Sequence, residues 1–177
     1  MSAGNDATKN TNKQLRRILI IAYGEERHAD IRVASSLLNR LRERSIADSW
    51  WLTLIEDAAL RLEHALDLRP NDLALFIDTS KHGKAPFEFQ EIPSDGSAPI
   101  LPVADTVLPS DLLHALATIG RQGALPPSFR LTLPLADQYS GDDIAPSSDA
   151  SITAAVDFLE NLLGDTSNAH WRAGVNS

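Results

Sequence analysis

The stretch Arg17-Ile18-Leu19-Ile20-Ile21-Ala22-Tyr23, closed by Gly24, decides the fold. It is short, rich in β-branched residues and apolar without alternation, the pattern of a strand buried on both faces of a parallel sheet. Beyond the loop that follows, Ile31, Ala34, Leu37, Leu38 and Leu41 recur at helical spacing, and Arg32, Arg40 and Arg42 fall mostly on the other side. Residues 16–44 are thus a strand-loop-helix unit.

The same reading carries along the chain. A second strand is expected at 50–54, then a helix over 57–68 with Leu62, Ala65 and Leu66 as its inner stripe and Pro70 barring continuation. Asp72-Leu-Ala-Leu-Phe-Ile-Asp78 is a third strand that ends in a carboxylate. After Lys81-His-Gly-Lys84, residues 86–92 alternate with period two, as an edge strand with one wet face does. Too few residues precede it for a parallel crossover, so it should return antiparallel. A helix begins at Pro109 with Leu112, Leu113 and Leu116 inward and stops at Gly120, and residues 129–135 alternate as a fifth strand. The last helix, capped by Ser147 or Ser148, carries Ile152, Ala155, Val156, Leu159 and Leu163 on one side and ends at Gly164.

These elements define an α/β fold: a three-layer sandwich with a mostly parallel five-stranded sheet, one antiparallel edge strand and helices on both faces. Residues 16–164 form its single domain. The polar stretch 1–15 and residues 165–177 read as disordered tails, and Trp171 in the second has no evident core to join.

Composition narrows the chemistry. The 177 residues hold 24 Asp plus Glu against 16 Lys plus Arg, a net charge of −8, and no cysteine. A chain of this size buries roughly 68–75% of its unfolded surface, enough for a core without disulfide or structural metal. The absent thiols exclude cysteine nucleophiles, Cys-ligated zinc and iron-sulfur clusters. The acidic surplus argues against nucleic acid as a partner, and the longest apolar run near the start is too short to span a membrane, so a cytoplasmic protein is expected. The charge is also uneven: residues 1–44 hold nine basic and five acidic side chains, whereas 131–165 hold seven acids and no Lys or Arg. Two solvated faces account for that more readily than a docking surface.

Ligands of such sheets gather beyond the carboxyl ends of the strands. Tyr23-Gly-Glu-Glu-Arg-His-Ala-Asp30 lies there with one glycine where a dinucleotide loop needs three, and its two carboxylates would repel a pyrophosphate. P-loop and nucleophile-elbow motifs are missing from the sequence. What remains is a rim of Glu25, Glu26, His28 and Asp30 on one loop with Asp78 and His82 on another. Carboxylates with an imidazole suit a divalent metal that polarises a carbonyl or activates water; a solvated loop and a strand-end cap are the plain alternative. His64 and His114 sit within helices as surface or core-edge residues.

The chain resembles the maturation endopeptidases of nickel-iron hydrogenases. Arg17-Ile-Leu-Ile-Ile-Ala-Tyr-Gly-Glu25 is similar to the family's opening Arg-Ile-Leu-Val-x-Gly-x-Gly-Asn, Asp30 keeps the first member of its acidic pair, and Leu75-Phe-Ile-Asp-Thr79 resembles its Ile-Phe-Val-Asp-Ala. The resemblance spans most of 16–163. It implies that Asp78, Asp30 and Asp105 occupy metal-contacting positions and that Asp78 is the catalytic contact; Glu25, Glu26 and His28 of the rim are the candidate substrate contacts. The family's second acidic position falls on Ile31, its later His on Asp105, and its flanking glycines on Ala22 and Ala34. The implied partner is the hydrogenase large subunit or its assembly proteins, whose own nickel is the only metal required, with no cofactor held by this chain and no membrane partner. An assembly protein that binds this subunit with reduced or absent cleavage is the expectation. An active nickel-dependent endopeptidase is one alternative, and a receiver-like signalling domain with Asp78 as phosphoacceptor is another.

Overall fold

The computed structural model describes residues 16–24, 28–44, 50–69, 72–93, 107–118, 125–135 and 144–175. Its elements run β1 (Ile18–Tyr23), α1 (His28–Arg42), β2 (Leu52–Asp57), a short 3-10 helix (Leu62–Leu66), β3 (Leu73–Ser80), β4 (Glu88–Ile92), α2 (Pro109–Thr118), β5 (Ser128–Pro134), α3 (Pro146–Leu163) and α4 (Asn168–Gly174). The strands form one sheet in the order β2-β1-β3-β5-β4, parallel except for β4. The expected N-terminal tail lies outside the described residues.

All six residues of β1 are buried. Ile18, Ile20 and Ala22 join the larger cluster with Leu37, Leu41 and Leu159 under α1 and α3. Leu19, Ile21 and Tyr23 point the other way, into a smaller cluster with Leu112, Leu116, Leu60 and Leu68 under α2 and the 3-10 segment. The continuous apolar run therefore has a helix layer on each side, which is why it cannot alternate.

The antiparallel edge is where the sequence places it, but β4 pairs with β5, and β5 enters between β3 and β4. Burial explains the order. Phe129, Leu131 and Leu133 of β5 are fully buried, whereas Glu88, Gln90 and Glu91 make β4 a polar edge. The connection over 81–87 needs to step across one strand, roughly 10 Å, well within its reach.

Several expectations fail. The helix over 57–68 is a five-residue 3-10 helix, with Leu62 and Leu66 exposed and Leu60, Ala65 and Leu68 inward. Asp57 Oδ1 accepts from the Ala58 amide at 2.7 Å and from the Arg61 guanidinium at 3.1 Å, and His64 Nδ1 accepts from the Arg61 amide at 3.0 Å. Side-chain acceptors that bind nearby backbone compete with a regular helix. Strand β2 correspondingly runs later than 50–54, leaving Trp50 78% exposed ahead of it.

The C-terminal stretch is no disordered tail. Ser167 caps α4 by accepting the His170 amide, and Trp171 is 0% exposed, its indole N–H donating to the Asp165 carbonyl at 3.1 Å. Its ring lies 5.2 Å from Phe129, which stacks on Phe89 at 5.5 Å. Arg172 clasps Glu91 of β4, and that hydrogen bond and charge raise its pKa above the ordinary arginine value. Helix α3 begins earlier than expected, after Ala145, with Pro146 in its first turn and Ser147 and Ser148 inside the helix.

The uneven charge is also resolved differently. Arg40 of α1 pairs with Asp149 of α3, and Arg44 reaches Asp157 at 3.5 Å and Glu160 at 3.3 Å. The basic first helix and the acidic later one face each other.

Candidate functional site

Parallel strands bring their carboxyl ends to one edge, and there a transverse row of polar side chains replaces the apolar ones. Asp57 of β2 lies opposite Tyr23 of β1, Asp78 of β3 opposite Thr132 of β5, and Thr132 opposite Glu88 of β4. The row belongs to the sheet face covered by α2, because Tyr23 and Phe76, two residues before Asp78, point into that cluster.

Asp78 is its centre and is 6% exposed. Both carboxylate oxygens are engaged. Oδ1 accepts from the Thr132 hydroxyl at 2.7 Å; Oδ2 accepts from Arg130 Nε at 2.8 Å, from Arg130 Nη2, and from the Tyr23 hydroxyl at 3.5 Å. A buried carboxylate needs a counter-charge and hydrogen bonds, and Asp78 finds both in the neighbouring strand. The chemical consequence is direct: a cation approaching Asp78 through Oδ2 must displace a guanidinium already seated there, and one approaching through Oδ1 meets that same positive charge. The donor set around Asp78 suits an anchored carboxylate better than an open ligand.

A second polar knot adjoins it. His64 is 8% exposed; accepting the Arg61 amide on Nδ1 places its proton on Nε2, which faces Asp57 Oδ2 at 3.4 Å. This histidine is a buried cap of the 3-10 segment.

Of the residues singled out in the sequence, Asp78 stands in the site. His28 and Asp30 fall in the first turn of α1, beyond the carboxyl end of β1, by backbone position. Glu25, Glu26 and Asp105 lie outside the described residues. His82 is exposed in the turn after β3. No group of three or more His, Asp or Glu able to hold a metal ion occurs among the described residues. The sequence reading missed Arg130, Thr132 and Tyr23. A signal for the first was available: Arg130 is a charge on the Ser128-Arg130-Thr132 face of a central strand, and such a position demands an acid nearby.

No family model matches the chain, and no curated protein matches it in sequence. Solved structures do match. The hydrogenase maturating endopeptidase HybD from E. coli superposes with a TM-score of 0.60 at 16% identity, over 84% of this chain and 92% of that one. The [NiFe] hydrogenase maturation protease HycI from Thermococcus kodakarensis gives 0.59 at 13% identity, over 84% and 93%. A hydrogenase 2 maturation peptidase from a Thaumarchaeota archaeon gives 0.57 at 17%, over 84% and 99%. With its five-stranded mixed sheet and the helices on both faces, the chain has the α/β fold of the nickel-iron hydrogenase maturation endopeptidases.

Proposed function

We propose that this protein is a divergent relative of the hydrogenase maturation endopeptidases that binds a hydrogenase large subunit during assembly, in the cytoplasm, without removing its C-terminal peptide. The fold supports the kind of partner. The single observation that carries the loss of cleavage is the Arg130 clamp on Asp78. Peptide cleavage assisted by substrate nickel needs carboxylates free to meet the metal, which then acts as Lewis acid on the scissile carbonyl. Here the Asp near the end of β3 has Oδ2 held by a guanidinium and Oδ1 hydrogen-bonded to Thr132, and the sequence puts Ile31 at a second ligand position of the family. The protein then contributes holding and positioning, and needs no cofactor of its own.

The receiver-like alternative loses support. A doubly wound receiver order runs 2-1-3-4-5, whereas here β5 lies between β3 and an antiparallel β4. Asp78 also faces a guanidinium, not an open phosphate site.

The test is co-purification of the tagged protein with a nickel-loaded large-subunit precursor, followed by intact-mass analysis of the captured subunit. Retention of an uncut precursor agrees with the proposal; absence of any complex contradicts it.

A further inference from the structure

We propose that the turn Lys81-His82-Gly83-Lys84, immediately beyond the Asp78 strand, is a docking point for a carboxylate-rich segment of a partner polypeptide. Four observations carry this. Lys81, His82 and Lys84 are exposed on the carboxyl edge of the sheet. Among the described residues neither lysine ammonium meets a carboxylate, whereas Arg17, Arg40, Arg44, Arg130 and Arg172 each hold one. The turn's backbone is tied down: Ser80 accepts the His82 amide on Oγ at 3.1 Å and the Gly83 and Leu135 amides on its carbonyl, and Glu88 accepts the Lys84 amide at 3.4 Å. Gly83 itself lies so close to β5 that a Cβ there would stand 3.3 Å from Pro134 Cα.

The turn carries two cations within four residues of a protein whose net charge is −8. Holding them in place lowers the ordering cost of binding, and local positive charge in an acidic molecule selects an acidic partner segment and its orientation. The same net charge disfavours a nucleic acid, whose many phosphates the rest of the surface would repel. The inference rests on the reading that this chain engages a polypeptide, but not on which one.

The probe is a fluorescein-labelled decapeptide of alternating Glu and Ala, followed by fluorescence polarisation at low salt. Wild-type protein should bind it, binding should weaken as salt rises, and Lys81→Ser with Lys84→Ser should weaken it about tenfold, two exposed pairs at roughly 0.5–1 kcal/mol each. Arg69→Ser removes an exposed cation whose guanidinium meets no carboxylate among the described residues, at the opposite end of β3, and should leave binding unchanged. The proposal is overturned by no binding to wild type, by salt-insensitive binding, by equal affinity of the double variant, by an equal loss in Arg69→Ser, or by tighter binding of a ten-nucleotide single strand. The reading of a large-subunit partner fails separately, if wild-type protein binds the peptide but not the precursor.

Discussion

Arg130 stands opposite Phe76 in the β3–β5 register, yet its guanidinium reaches two pairs along the sheet to grip Asp78, whose own opposite neighbour, Thr132, takes the other oxygen. The diagonal contact turns a strand-end acid into a cross-strand lock. Three strands meet there, since Tyr23 of β1 donates to the same carboxylate.

The lock is asymmetric, and substitutions should expose that. Asp78 is nearly buried, whereas the Arg130 side chain is 38% exposed. Arg130→Ala strands a buried carboxylate and should cost about 1–3 kcal/mol, or roughly 2–12 °C in melting temperature for a domain of this size. Thermal unfolding followed by circular dichroism measures it.

Asp78→Asn should cost less, about 1 kcal/mol, because the freed guanidinium can turn to water and the amide can still bond Thr132. Equal or larger destabilisation than Arg130→Ala would mean that the energetics of the pair have been assigned to the wrong partner. The same variant serves as the control for any cleavage attributed to Asp78.

Trp171→Ala should be the most damaging change outside the sheet. Its ring is fully buried and packs on Phe89 and Phe129, and loss of a buried tryptophan costs about 3–5 kcal/mol. A chain ending after Leu163 should melt lower by at least as much, and differential scanning calorimetry on both separates a docked helix from an idle tail.

The ion pairs that the residues just after α1 make with α3 should matter little. Arg44→Ala breaks contacts with Asp157 and Glu160 whose side chains are 64% and 41% exposed, so the loss should be about 0.2–1 kcal/mol at low salt. Because salt screens exposed pairs, the difference from wild type should nearly vanish at about 1 M NaCl, where the Debye length is about 3 Å. Urea melts at two salt concentrations give the comparison.

The layers of the fold are legible in the sequence because β1, β3, α1 and α3 obey single periodicities over long runs. Strand pairing is less so: nothing local in Glu88–Ile92 says that β5 will come between it and β3, since that choice depends on which strand most needs burial. The 3-10 segment escapes because Asp57 and His64 hydrogen-bond backbone that helical spacing alone assigns to a helix. Helix α4 escapes because a seven-residue helix has almost no period to detect and depends on one tryptophan finding Phe89 and Phe129. At the site, Asp78 is visible as a charge ending an apolar strand, while its partners come from strands far away in sequence. Only the fold joins Tyr23, Arg130 and Thr132 to it.

The proposed role is that of a fold that holds a large subunit without cutting it. The most direct measurement is the intact mass of a nickel-loaded large-subunit precursor after incubation with wild-type protein and with Asp78→Asn. The account predicts an unchanged precursor mass in both, with the precursor held in a complex. Loss of a C-terminal peptide with wild type, absent with Asp78→Asn, would contradict it.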